Sequence, residues 1–318
     1  VASPILRRRT LAGMLALVAA PAAPALARSL PDPPPLDPSL TAKTTPLGYV
    51  RRLTVQVRVN DQGPYPFLVD TGANASVISS ELATLLRLPA GLPVNLHGIA
   101  GSEMVNTVSA VSIAVGRRIR KDLTLSVLPG RYIQAPGILG LDWLGAQGLV
   151  LDFSRDEMRL GSIAPRTDEL TVSVPIKARR NGLHLIEASV SGVRTLAFLD
   201  TGSTTTVGNM ALMREAIRKQ AVSSDWADIE LQSLTGQSMA GRLAALKTVS
   251  LGKVNLNNLP VVFGPVHTFD YWGLSDRPAI LIGIDVLNAF ESVALDFTRG
   301  QVHFRLSSTA ANGAAAMS

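Results

Sequence analysis

Hydrophobic and polar positions alternate through Leu53-Thr54-Val55-Gln56-Val57-Arg58-Val59, the pattern of a strand with one face in a core. Asn60-Asp61-Gln62-Gly63-Pro64 breaks the pattern as a turn. The next run, 66–69, stays apolar until it meets Asp70. The same succession returns later: two strands over 183–190 and 194–199, with Ser191-Gly192 between them, deliver Asp200. Helical spacing follows each acid. Residues 80 to about 87 set Leu82, Leu85 and Leu86 on one face, with Ser80 as the cap. Residues 209 to about 220 space Met210, Met213 and Ile217 as a buried stripe. Further strands are expected at 108–115 and 123–128.

The succession is an internal repeat. Phe67-Leu68-Val69-Asp70-Thr71-Gly72-Ala73 is matched by Ala197-Phe198-Leu199-Asp200-Thr201-Gly202-Ser203. Downstream, Gly137-Ile138-Leu139-Gly140-Leu141-Asp142-Trp143-Leu144 is matched by Ala279-Ile280-Leu281-Ile282-Gly283-Ile284-Asp285-Val286-Leu287. Leu151-Asp152-Phe153 and Leu295-Asp296-Phe297 close the copies. Three landmarks in one order, twice, read as a duplicated domain. Each apolar strand carries one acid into a tight turn, and burial of that acid requires compensation. Gly72 and Gly202 let the backbone approach and offer an N–H, and Thr71 and Thr201 add hydroxyls. If a pseudo-two-fold axis joins the copies, Asp70 and Asp200 share one proton, because two carboxylates in contact do not both ionise easily.

On these motifs the chain resembles the aspartic proteases of the retroviral and pepsin type, over roughly residues 46–306. The proton-sharing dyad of that family is a known case rather than a derivation from this chain. The resemblance implies an all-β fold of two homologous, closed, barrel-like lobes related by a pseudo-two-fold axis, with a few short helices. It implies an aspartic endopeptidase whose Asp70/Asp200 dyad activates water, with Thr71, Gly72, Ala73, Thr201, Gly202 and Ser203 supporting the site. Each repeat is nearer in length to one retroviral subunit than to a pepsin lobe, so the chain looks like that dimer fused in tandem and is expected to be a monomer. His97-Gly98-Ile99-Ala100-Gly101-Ser102 alone reads as a hairpin turn; the resemblance makes Gly98, Ile99, Ala100 and Gly101 a flap, without the flap tyrosine of pepsin-like enzymes. Thr235 and Gly236 sit where a second flap belongs. A catalytically silent peptide-binding or regulatory module of the same fold is the alternative.

Three finer expectations follow. Asp142 is a helix-terminal structural acid. Phe269, Tyr271 and Trp272, in the longer second copy, either form a substrate subsite or pack on their own lobe. Ser203 follows the second Asp-Thr-Gly where Ala73 follows the first, so its hydroxyl is expected to donate to the neighbouring carboxylate.

Composition narrows the rest. The 318 residues carry 30 basic and 24 acidic side chains, a net +6, of which Arg7, Arg8 and Arg9 lie in an expected leader. No basic stripe points to nucleic acid. There is no cysteine, which excludes disulfides and thiolate chemistry. The four histidines are scattered, so a His-based metal site has no support; the resemblance implies no metal or organic cofactor and a peptide or protein substrate as the partner. Residues 1–27 read as an export signal ending at Ala25-Leu26-Ala27, which implies a periplasmic destination by the general or twin-arginine route and no lasting membrane insertion. The expected organisation is a Pro-rich linker at 28–46, lobes at 47–162 and 163–306, and a frayed tail at 307–318.

Overall fold

The computed structural model describes residues 18–19, 40–47, 52–145, 148–163, 168–180 and 183–307. Of the expected leader only Val18 and Ala19 lie inside this set, and of the tail only Ser307. Two strands precede the first lobe, β1 (Val18–Ala19) and β2 (Leu40–Leu47). The lobe itself comprises β3 (Arg52–Val59), β4 (Gln62–Val69), β5 (Val77–Ser79), α1 (Ser80–Leu85), β6 (Val94–Gly98), β7 (Gly101–Val105), β8 (Thr107–Val115), β9 (Arg118–Leu128), α2 (Gly130–Ile133), β10 (Gly137–Leu139) and α3 (Leu141–Leu144). After it come β11 (Gly148–Asp152), β12 (Glu157–Gly161) and β13 (Thr171–Arg180). The second lobe holds β14 (Leu183–Val190), β15 (Val193–Leu199), β16 (Val207–Gly208), α4 (Met210–Arg218), β17 (Ala227–Gln232), β18 (Ser238–Leu251), β19 (Val254–Phe263), α5 (His267–Tyr271), β20 (Ala279–Ile282) and α6 (Ile284–Leu287). β21 (Ser292–Asp296) and β22 (Gln301–Arg305) complete the order.

The alternation in β3 buries Val55, Val57 and Val59 and exposes Gln56 and Arg58. That strand opens a closed ring: β3–β4–β10–β5–β9–β8 returns to β3. The second lobe makes the equivalent ring, β14–β15–β20–β16–β19–β18 and back to β14. Closure leaves no open sheet edge in either ring. β4 and β10 pair in parallel, as do β15 and β20; strands covered on both faces need continuous apolar runs, which Ile138-Leu139 and Ala279-Ile280-Leu281-Ile282 supply.

A six-stranded antiparallel sheet, β2-β12-β11-β21-β22-β13, joins the lobes. The third pair of repeated landmarks meets there: β11 runs against β21, with Leu149 opposite Leu295 and Leu151 opposite Val293. Asp152 and Asp296 cap the turns that follow, each accepting hydrogen bonds from backbone N–H and hydroxyl groups two and three residues on. One apolar core runs from Val55 and Phe67 through Leu151 and Phe304 to Val249 and Phe263.

Three expectations change. Leu40–Leu47, most of it inside the expected linker, is a strand that pairs with β12 through Leu40–Lys43 and with β3 through Thr44–Leu47; the edges of two sheets supply the backbone partners that composition does not reveal. In α1 the cap is Ser79, not Ser80, and Leu85 is exposed while Leu82, Ala83 and Leu86 are buried. In α4 the buried face is Ala211, Leu212 and Ala216, and Ile217 points outward. Met213 packs at the edge of the same core, so within the expected Met-Met-Ile stripe it is Ile217 that turns away.

Candidate active site

Each Asp-Thr-Gly turn is clamped from behind before it meets its twin. The Asp70 N–H donates to the Leu139 carbonyl at 3.0 Å and the Leu141 N–H to the Ala73 carbonyl at 2.8 Å. In the second lobe Asp200 N–H donates to Ile282 at 2.9 Å and Ile284 N–H to Ser203 at 2.8 Å. Asp142 accepts from the Ser76 hydroxyl and N–H, and Asp285 accepts from the Thr206 hydroxyl and N–H. Asp142 is thus a structural acid, as expected, and its partner Ser76 in turn accepts from the Gly140 N–H. Burial raises the pKa of Asp142 and Asp285, and these donors oppose the rise.

Across the lobe boundary the turns hold each other. The Thr71 hydroxyl donates to the Leu199 carbonyl at 2.9 Å, and the Thr201 hydroxyl donates to the Val69 carbonyl at 2.7 Å. Each hydroxyl also accepts the other threonine's N–H, at 3.1 and 3.2 Å. Asp70 Oδ1 takes the N–H groups of Gly72 and Ala73; Asp200 Oδ1 takes those of Gly202 and Ser203. Asp70 and Asp200 are 1% and 0% exposed. A methyl group on Gly72 would stand 2.5 Å from Asp200 Cγ, and one on Gly202 would collide with Asp70 Oδ2. Only a hydrogen at these two positions lets the carboxyls reach across.

Asp70 Oδ2 is buried with no fixed donor. Two ionised carboxylates have no proton to offer each other; a proton shared by the pair, or a water between them, gives this oxygen its donor. Burial raises the pKa of Asp70 above the usual carboxylate range; the Gly72 N–H, a hydrogen bond with Asp200, the Ala73 N–H and the charge of Arg52 pull against it. The sequence expectation for Ser203 fails. Its hydroxyl donates to the Thr205 carbonyl at 2.7 Å, and only its N–H serves the carboxylate. Asp200 Oδ1 already holds two N–H donors, and the hydroxyl is taken up by the turn's own carbonyl.

The expected flap residues come together at the boundary between the lobes. Gly98 and Gly101 bracket the β6–β7 tip, with Ile99 and Ala100 between them. Thr235 and Gly236 lie in the β17–β18 turn, closed by the Ser233 N–H donating to Gln237. Each tip enters the opposite lobe. Ile99 is fully buried among Phe198, Leu281, Phe269 and Trp272 of the second lobe. Leu234 is buried among Leu68, Val77, Ile133 and Ile138 of the first. The tips touch where Gly98 faces the Ser233 hydroxyl. Each rests on the short helix before the opposite lobe's last ring strand: Gly236 lies against the Tyr132 ring of α2, and the His267 N–H of α5 donates to the Ile99 carbonyl at 2.8 Å. The aromatic insertion therefore packs on its own lobe through Phe269 and Trp272, both against Phe198, and supports the flap tip as well.

Two further groups were missed in sequence. His97 in β6 meets His267 with Nδ1 and Nε2 3.0 Å apart, and it packs on Tyr271. Nothing local marks this pair, since 170 residues separate its members. Arg52 is buried beside Asp70. Alignment of the two repeats through their first hairpins would have set it against Leu183.

Two stretches of the chain, 55–143 and 186–286, match the family described as Aspartyl protease. The chain belongs to that family. The matched stretches include both Asp-Thr-Gly turns and both clamping segments, so the family's two regions coincide with the two rings of this aspartyl protease family member. No curated protein matches the chain. No group of three or more metal-binding side chains occurs among the described residues, and no helix among them is long and apolar enough to cross a membrane.

Proposed function

We propose that the chain is an aspartic endopeptidase with Asp70 and Asp200 as its catalytic pair. The crossed contact of each carboxyl with the other turn's glycine supports this reading most: it brings both acids to one buried point, where sharing a proton relieves their repulsion. One carboxylate takes a proton from water held between them while the other donates its proton to the peptide carbonyl oxygen. The water oxygen bonds to the carbonyl carbon, giving a tetrahedral diol. Proton transfer to nitrogen then lets the C–N bond break, and the released acid and amine leave the dyad with one proton again. The flap tips fill the apolar space on either side of the dyad, so substrate enters after Ile99 and Leu234 withdraw.

Both halves of the site are in one chain, so activity belongs to the monomer and activity per molecule should hold constant on dilution; a steep fall would assign it to a dimer. Export rests on residues 1–27, and a mature N-terminus just after Ala27 in the exported fraction is the expected finding. The decisive assay is cleavage of a proteome-derived peptide library by the wild type, Asp70→Asn and Asp200→Asn. Each variant should lose at least about a hundredfold in rate, the lower end of what a positioned acid or base supplies. A variant that cleaves at the wild-type rate would overturn the pair, and a wild type that cleaves nothing would leave the binding-module reading standing.

A further inference from the structure

The outer end of the second lobe carries charges that its ring does not require. Two adjoining hollows, of about 410 and 450 Å³, flank the Ser191-Gly192 turn between β14 and β15, and Gly192 and Arg194 line both. The first is walled by α4, through Arg214, Glu215, Arg218 and Lys219. The second reaches Lys177 of β13 and Glu187 of β14. Five cations and three acids line this groove, and the two glutamates are already paired. Glu187 meets Arg194 at 2.7 Å and Lys177 at 4.0 Å. Glu215 meets Arg218 at 2.6 Å; first that hydrogen bond, and after it the charges of Arg218, Lys219 and Arg214, hold its pKa below the ordinary value. Arg214 and Lys219 have no ion-pair partner among the described residues. Helix physics explains only part of the set. Arg218 in the last turn and Lys219 at the C-cap suit the negative end of α4. Arg214 is in mid-helix, four residues before Arg218, where two like charges share a face and repel. The first lobe is the internal control: the same end of its ring has Asp61 in the β3–β4 turn, Glu81 in α1 and no base in the last turn of that helix.

We propose that this groove is a second binding site, apart from the dyad, which holds an acidic peptide segment through Arg214 and Lys219. Carboxylates fit because they arrive singly on a peptide. Arg214 and Lys219 each offer N–H donors to one, and Glu215 between them keeps the positive points apart. A nucleic-acid backbone fits worse. Its charges are continuous, so Glu187, Glu215 and Asp276 oppose it, and no aromatic ring lines either hollow among the described residues to stack a base. The seven residues of β15 separate the groove from Asp200, about 23 Å at the rise of a strand. A chain that engages both centres therefore carries its acidic segment at least about seven extended residues from the bond that is cut. That last step, which makes the bound segment part of a substrate, rests on the peptidase reading of the dyad; the binding itself does not.

The test is fluorescence anisotropy of a dye-labelled peptide of alternating glutamate and glycine, titrated with the full chain. The wild type should bind it saturably, and less tightly as salt rises. Arg214→Gln with Lys219→Gln should weaken binding about tenfold, the loss of two exposed charge pairs. Arg58→Gln with Arg87→Gln removes the same charge from exposed positions of the first lobe and should leave binding unchanged. Absent binding, an equal loss in both double variants, or equal binding of the glutamine counterpart of the peptide overturns the proposal. Duplex DNA that displaces the peptide at lower concentration than unlabelled peptide does would assign the groove to nucleic acid and overturns it too. No bond is cut in this assay, so Asp70→Asn should bind like the wild type, and failure of the groove is distinct from failure of the dyad. With active enzyme, Arg214→Gln with Lys219→Gln should raise KM for substrates with a distant acidic segment and leave kcat as it is. A fall in kcat at unchanged KM contradicts a docking role.

Discussion

The first lobe cradles the opposite flap tip on a four-residue helix with one half-buried tyrosine, Tyr132. The second cradles its visitor on α5 and the segment after it, where Phe269, Trp272 and Leu274 are all buried around Phe198. The rings beneath are equivalent strand for strand, and the turns they deliver match in every backbone bond. Duplication has therefore kept what the two copies must do jointly and released what each does alone. The dyad needs both turns in register, so Thr71 and Thr201 cannot drift apart in geometry. The cradles meet only flap tips, so Ile99 and Leu234 sit in pockets of different size and aromatic content.

The comparison breaks most sharply at the glycines. Gly72→Ala and Gly202→Ala should each lower peptide turnover at least about a hundredfold, since a misplacement near 1 Å suffices for that loss. Equal losses support a single shared centre. A tolerated alanine on one side would show that the lobes do not cross symmetrically.

Next in size is the cradle difference. Trp272→Ala removes a buried indole and should destabilise the fold by about 3–5 kcal/mol, whereas Tyr132→Ala, at a half-buried ring, should cost about 1 kcal/mol or less. Urea titrations of the two variants read this directly, and equal midpoints would show that the cradles carry equal weight.

The sequence made the centre legible and left its surroundings dark, for physical reasons. Asp70 and Asp200 stand out because an acid at the end of an apolar strand is costly, and finding it twice beside Thr-Gly is hard to explain otherwise. The clamping segments show as apolar runs because parallel strands covered on both faces have no polar positions. The flap tips were legible as turns but not as plugs, since nothing near Ile99 or Leu234 states that its pocket lies in the other lobe. Arg52 reads as an ordinary charge at the start of a strand; only the folded structure buries it where its charge acts on Asp70. The helix faces were misread because Ala211 and Ala216, which pack, are less conspicuous than Ile217, which does not.

A smaller effect tests the interlobe grip. Thr71→Val and Thr201→Val each strand a buried carbonyl and an N–H, so each should cost about 1–3 kcal/mol. The four bonds form one network, so the double variant should cost less than the sum. Additive losses in denaturant titrations would show two independent contacts.

The smallest predicted effect is on closure of the first flap. Burial, and then the charge of His267, hold the pKa of His97 below its ordinary value in the closed form. A depressed histidine stabilises the closed form above its free pKa, about 6.5, and that contribution is lost as the pH falls below it. Hydrogen exchange in β6 and β7, corrected for intrinsic rate, should therefore rise on acidification relative to the ring strands. His97→Phe should flatten that dependence; exchange that ignores pH in the wild type would show that the histidine pair does not govern closure.

The central claim is that two half-sites, one from each lobe, form a single centre that splits a peptide bond with water. The most direct test is peptide-library cleavage in oxygen-18 water, with wild type, Asp70→Asn and Asp200→Asn run side by side and the products read by mass spectrometry. The account predicts that wild type produces new C-termini that each carry one heavy oxygen, and that either asparagine alone lowers the yield at least about a hundredfold. New termini formed at the wild-type rate by either variant would contradict it.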